Sequence, residues 1–521
     1  MAETPTDALT TALAHHKAGK LAEARALYDA ILRAMPNDVN ALHLRGVLAR
    51  REGDLPTALR YLSAALAIDT RFAVGYSNFG NALQDNCQLV EAMSAHRTAL
   101  ALEPANSGAH RRMLTCLLYI PGLDPAQRFA AHADFARHQP APDRVLPPPD
   151  NDRDPARPLR IGVLSSDLRV HPVSRTVLPW FEQRDRAAYQ LYCYAEVAAP
   201  DQQSAFLQAR CDGWRSTVDL DDRRVAELIR NDRIDILIVL AARFDGNRPL
   251  VACYRPAPVQ VAMFDGATTG LRAFDYWVTD PVLTPPDSTE RFTERLVGLP
   301  LLIHHPPIES APPVAALPAA TAGAITFGSF NNPTKISPRT VELWSRVLHA
   351  VPTAQLLLKY HLRFSDPALC ARLRVMFGAQ GLDPTRLRFQ AADDRQGAHL
   401  AAYAGVDVAL DTVPFSGSTT TFEALWMGVP VLTLAGDTMI ARMTASMLTA
   451  VGLTDLIAAS PDALADHARA LAADLGALAT LRAGLRARVA GSLLCDGVAY
   501  ARANETLWRS MWRAWCAGDT G

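Results

Sequence analysis

Small and apolar residues recur along the first hundred positions at a fixed interval of 34. Ala24, Ala58 and Ala92 form one series, and Leu21, Leu55 and Leu89 a second. Leu32, Leu66 and Leu100 form a third, and Ala12, Gly46 and Gly80 a fourth. Small residues at two fixed slots of each interval let paired helices approach closely, so the pattern predicts stacked helix pairs. Pro36 and Pro104 lie two intervals apart, with Thr70 in the slot between them. A proline there follows the second helix of a pair and stops it, having no N–H and a fixed φ. Helical periodicity continues through 107–138 without the full repeat and predicts a helical cap. A stretch rich in proline and charge, 139–157, then reads as a linker.

From residue 158 the pattern changes. The apolar run Ile161–Leu164 closes on polar turn residues, as a buried parallel strand does. YQLYCYAEV, IDILIVL (234–240) and PVQVAMFDG repeat that signature, with the helical DDRRVAELIRND between the first two. A second proline-rich break covers 306–322. Beyond it AITFGSFNN, AQLLLKY, RLRFQ, VDVALDT and VPVLTL read as strands, and TVELWSRVLHAV and TTTFEALWM as helices. Strand–helix alternation in both halves predicts two doubly wound lobes, 158–305 and 323–497. An aromatic amphipathic helix covers 498–517. The fold class expected is therefore α plus α/β: a helical array ahead of two Rossmann-like lobes. Such pairs of lobes bind ligands in the cleft at the carboxyl ends of their strands. The 34-residue unit over 5–106 resembles the tetratricopeptide repeat in about three copies, which implies an α-solenoid whose concave surface holds a protein.

Composition narrows the partners. Lys+Arg number 52 and Asp+Glu 53 among 521 residues, a formal net charge of −1, which excludes nucleic-acid binding by broad charge attraction. The eight cysteines are scattered with no CxxC or zinc-like spacing, as expected of reduced thiols in a cytoplasmic protein. The first residues lack the basic run and apolar core of a signal peptide. No apolar stretch approaches the roughly 20 residues that span a bilayer, so no membrane partner is expected. Neither GxGxxG nor GxxxxGK[ST] occurs. DLDD (219–222) formally contains a cation-binding DxD, but it precedes a helix and reads as a cap.

Three segments carry candidate chemistry. In VDVALDTVPFSGSTTTFEALWMGVPVLTL (406–434) a strand leads through Gly417 and Ser418 into a helix opened by Thr419 and Thr420. Unpaired N–H groups and the positive dipole end make a helix start a site for a diphosphate. Glu423, one turn on, is placed to accept hydrogen bonds from ribose hydroxyls. In FGSFNNPTKIS (327–337) Asn332 and Lys335 follow a strand, and a lysine there neutralises a departing diphosphate. In SSDLRVHPVSR (165–175) His171 follows the first strand of the front lobe, a candidate for positioning or accepting a proton.

With RPAPVQV (255–261), these segments resemble the bacterial Spindly-like branch of the O-linked N-acetylglucosamine transferases over essentially the whole chain. The resemblance implies tetratricopeptide repeats joined to a GT-B catalytic unit. It also implies inverting transfer of a sugar from a UDP-sugar to protein Ser or Thr hydroxyls, with no metal cofactor. By resemblance Lys335 and Asn332 contact the diphosphate, and Thr419 and Thr420 bind the phosphates. Glu423 binds the ribose, His399 lies near the uracil, and His171 is the active-site histidine. Ser418 stands where relatives have Gly or His, Arg243 where many have His, Arg175 where Gly or His is common, and Gln396 where animal members have Lys. UDP-GlcNAc is the expected donor and repeat-bound proteins the expected acceptors. A fucosyltransferase using GDP-fucose and a non-catalytic repeat scaffold are the alternatives.

Overall fold

The computed structural model of the chain describes residues 5–139, 146–244, 246–391 and 398–519. Gln396 lies outside the described residues, as do positions 140–145 of the first linker and Asp245. The chain divides into two compact units. One holds the helices as far as Ile120 with Arg137–Pro140, and the other holds Pro121–Ala136 and the rest of the chain.

In the first unit, helices Pro5–Lys17, Val39–Arg51, Ala73–Asp85 and Ser107–Leu117 begin one every 34 residues. Leu21–Ala34, Leu55–Ile68 and Leu89–Leu102 are their second members. The small-residue slots are where the pairs touch. Ala24, Ala58 and Ala92 are fully buried. A Cβ added at Gly46 would lie 2.7 Å from Leu62 Cγ, and one at Gly80 2.7 Å from His96 Cε1. Either side chain would force its helices apart. Asp38, Asp54 and Asn106 cap the helices that follow them by accepting backbone N–H bonds. The segment expected as one helical cap is shared between the units: Ser107–Leu117 continues the 34-residue interval, whereas most of Pro125–His138 belongs to the second unit.

The second unit contains two all-parallel sheets. The front lobe has β1 (Leu159–Ser165), β2 (Tyr189–Ala195), β3 (Gly213–Ser216), β4 (Ile236–Leu240), β5 (Val259–Met263), β6 (Tyr276–Thr279) and β7 (Arg295–Gly298), in the order β3-β2-β1-β4-β5-β6-β7. The back lobe has β8 (Thr326–Ser329), β9 (Gln355–Lys359), β10 (Leu387–Gln390), β11 (Val408–Leu410), β12 (Val431–Leu434) and β13 (Ile457–Ala458), in the order β10-β9-β8-β11-β12-β13. Each order reverses direction at one point, between β1 and β4 and between β8 and β11, and these are the switch points at which doubly wound sheets open a crevice. β4 and β5 are buried at every residue, the unbroken apolar runs that a sheet covered on both faces requires.

The C-terminal helix Gly497–Cys516 packs on the front lobe. Trp508 meets Trp180 and Tyr189 edge-on, and the Tyr189 hydroxyl donates to Glu505 O. The lobes are also tied directly: Met439 N donates to Glu290 Oε2 at 2.7 Å, and Ser446 Oγ to Asp280 Oδ2 at 2.8 Å. Among the described residues no helix is long and apolar enough to cross a membrane, and all eight cysteines are free.

Candidate functional site

A cavity of about 490 Å³ lies between the two lobes, within the size range of small-molecule sites. Its walls are the segments that follow β1, β4 and β5 in front and β8, β9, β10, β11 and β12 behind, all at the carboxyl ends of strands. Asn332, Lys335, His399, Ser418, Thr419, Thr420 and Glu423 line it together. These residues span almost a hundred positions of sequence, and the β8/β11 switch point is what unites them.

The loop 411–418 is shaped from beneath. Asp411, buried, accepts hydrogen bonds from Thr412 N, Gly417 N and Thr433 Oγ1. Burial holds its carboxyl above the ordinary range. The helix Pro338–Ala350 grips the same loop, with Trp344 Nε1 donating to Asp411 O at 2.8 Å and Thr340 Oγ1 to Val413 O at 2.8 Å. Gly417 is required by close approach, since a Cβ there would collide with Thr421 Oγ1 and lie 3.2 Å from Thr420 Oγ1. The helix Thr419–Trp426 therefore starts at the cavity edge. The Ser418 side chain makes no capping bond, so the first-turn N–H groups stay available to a ligand. Thr420 Oγ1 donates to Asn331 Oδ1 at 2.8 Å, joining the helix start to the loop after β8.

Asn332 caps the short turn Pro333–Lys335 by accepting from Thr334 N, which presents Lys335 to the cavity. Lys335 Nζ donates to Ser416 O at 2.8 Å and lies 4.0 Å from the centre of the Phe415 ring. Burial pushes its ammonium down to about 8, against a smaller opposing pull from Asp411. It stays largely cationic at neutral pH, with two further N–H donors for an anion. His399 Nε2 lies 2.9 Å from Glu423 Oε2.

His171 stands apart from this set. Its Nδ1 accepts from Val173 N at 3.3 Å, capping the helix Pro172–Thr176, and lies 3.8 Å from Asp167 Oδ1. The cavity wall begins one residue later, at Pro172. Arg175 sits on that same short helix and does not line the cavity. Arg243 is turned inward: Nε lies 2.9 Å from Asp265 Oδ1, and Nη2 donates to Ala267 O and Thr268 O. It also meets the ring nitrogens of His132. Thr268 and Thr269 in turn donate to the buried Glu294. This network supports the wall formed by Phe264, Asp265 and Gly266. In DLDD, Asp221 accepts from Arg224 N as a helix cap, and Asp222 pairs with Arg248 at 2.6 Å.

Sequence reasoning missed Phe264, Asp265, Phe330, Tyr360 and His361 as wall residues. Phe264 and His361 have φ of 62° and 39°, a left-handed backbone that no sequence pattern of theirs signals. Tyr360 was readable in one respect, because it ends the strand run AQLLLKY.

Comparison with known proteins extends this geometry. The family described as Glycosyl transferase family 41 matches residues 147–303 and 316–503. A probable UDP-N-acetylglucosamine–peptide N-acetylglucosaminyltransferase SPINDLY of Oryza sativa subsp. japonica is 35% identical over 437 residues, 82% of this chain and 47% of that protein. The UDP-N-acetylglucosamine–peptide N-acetylglucosaminyltransferase of Caenorhabditis elegans is 25% identical, over 69% of this chain and 41% of that protein. The chain thus spans about half the length of the curated relatives it matches. Among solved structures, a variant of the Thermobaculum terrenum O-GlcNAc transferase superposes with a TM-score of 0.92 at 36% identity, covering 100% of both chains.

Proposed function

The chain belongs to glycosyl transferase family 41, and on that premise we propose that it transfers a sugar from a nucleotide donor to hydroxyl groups of proteins. The donor we favour is UDP-GlcNAc, and the acceptors are Ser and Thr side chains of proteins held by the helical repeats. The observation that carries this reading is the convergence of Lys335, the start of the helix Thr419–Trp426 and the His399–Glu423 pair on one cavity. A cation, a helix N-terminus and a carboxylate in that order suit a β-phosphate, an α-phosphate and a ribose. The names of the relatives support UDP-GlcNAc over other donors.

In this reading the acceptor oxygen attacks the anomeric carbon from the face opposite the diphosphate. The new C–O bond forms as the bond from carbon to the β-phosphate oxygen breaks. Charge gathers on that oxygen, where Lys335 and the N–H groups of Thr419 and Thr420 stabilise it. Ser418 and Asn332 border the same phosphates. These groups supply the positive potential a divalent cation provides elsewhere, so turnover should persist with excess chelator. The hydroxyl proton leaves to a base on the front-lobe side, for which His171 beside Asp167 is the candidate.

The test is incubation with UDP-GlcNAc and candidate proteins followed by intact-mass analysis. A gain of one N-acetylhexosamine on Ser or Thr is expected. Transfer from GDP-fucose instead would overturn the donor assignment, and absence of binding to any nucleotide would favour a repeat scaffold.

A further inference from the structure

Lys359, the last residue of β9, is 1% exposed. Burying an ammonium is costly unless a carboxylate pairs with it. No carboxylate pairs with it among the described residues. Among the described residues its one hydrogen bond runs from Nζ to His399 Nδ1, at 2.9 Å. The face of Phe330 lies beneath it, 5.1 Å from Nζ to the ring centre. Burial holds the ammonium below its ordinary range, with Glu423 opposing.

The chemistry of this contact fixes more than a distance. An ammonium has donors only, so His399 Nδ1 must accept. A neutral imidazole then carries its one proton on Nε2, and that N–H points at Glu423 Oε2, 2.9 Å away. Both ring nitrogens are therefore committed to protein partners, and one oxygen of Glu423 is held while the other stays available to the cavity. The opposite tautomer would set an N–H against the ammonium and a lone pair against the carboxylate.

We propose that Lys359 is a positioning residue of the donor site: by holding His399 as the Nε2–H tautomer it orients Glu423 for the donor's ribose hydroxyls. The part concerning ribose rests on the nucleotide-binding reading above, whereas the tautomer stands on the unliganded protein alone. Lys359 touches no reacting atom in this scheme and acts through two intermediaries. A purely structural lysine would behave otherwise, since replacing a buried charge by an apolar side chain of similar length is often neutral or stabilising.

The experiment is long-range proton–nitrogen correlation NMR on the full chain labelled with 15N-histidine, the His399 signals being identified by their loss in His399→Gln. In the wild type a pyridine-type Nδ1 and a pyrrole-type Nε2 are expected. In Lys359→Met the ring should become a mixture of tautomers, and the dissociation constant for UDP should rise about tenfold, as for loss of a hydrogen bond to a charged group. Lys359→Arg, which keeps the donors, should restore most of both. A pyrrole-type Nδ1 in the wild type would overturn the proposal. So would a Lys359→Met protein whose tautomer and UDP affinity are unchanged. If Lys359→Met does not fold, the wild-type signals still decide the tautomer. Failure of the wild type to bind UDP or GDP would instead defeat the nucleotide reading and its ribose clause, leaving the tautomer result to stand or fall separately.

Discussion

The two walls of the cleft are built on opposite principles. On the back wall, polar groups are delivered to the cavity with bonding capacity to spare. Lys335 uses one donor on a backbone carbonyl, and the first turn at Thr419 has no side-chain cap. On the front wall the strongest charges are spent inside the protein. The Arg243 and Asp265 side chains are 4% and 1% exposed and bind each other, the loop carbonyls and His132. The first arrangement awaits an anion, while the second fixes a loop. Charged residues near a cavity are thus no guide to ligand chemistry until their partners are counted.

The largest way to break this contrast is to remove the buried cation in front. Arg243→Met should cost about 3–5 kcal/mol in stability, because it strands a buried carboxylate. Where the protein stays folded at low temperature, its UDP affinity should match wild type, as denaturant melts and calorimetry would read. A lost affinity with intact stability would put Arg243 on the ligand instead.

Next in size is the back wall's own cation. Lys335→Ala should leave the fold intact and lower turnover about 100-fold or more, as for loss of an oxyanion-stabilising group. An unchanged rate would remove it from the mechanism. Gly417→Ala should cost about 1–3 kcal/mol through the clash with Thr421 and Thr420, with nucleotide binding weakened alongside.

The smallest effect expected is on pH dependence. Lys335 is cationic below about pH 8 and neutral above it, so UDP affinity should hold between pH 6 and pH 7.5 and decline as pH rises through 8. Bound diphosphate favours the cation and displaces the transition upward in the complex. In Lys335→Met the decline should vanish, a comparison that titration calorimetry across pH makes directly.

The same contrast explains what the sequence disclosed. The repeats were legible because Gly46 and Gly80 occupy contacts that admit no Cβ, and steric demand of that kind leaves a periodic mark. The central strands β1, β4 and β5 were legible as unbroken apolar runs. β3 and β7 were not, for they are short edge strands whose residues are mostly half-buried or exposed, and β13 has two residues. The back wall could be read because a loop, a helix start and Glu423 lie within a few positions of one another. The front wall could not: Arg243 meets His132 across 111 positions and Asp265 across 22, through packing alone. Lys359 was hidden for a related reason, as the end of an apolar strand gives no hint that its charge points at a histidine 40 residues on.

The central claim is that the back wall binds the diphosphate of a nucleotide donor. Calorimetric titration of the full chain with UDP, beside Lys335→Ala, tests it most directly. One-to-one saturable binding by the wild type, sharply weakened in the variant, is the predicted result. Equal binding by both proteins, or none by the wild type to either UDP or GDP, would contradict it.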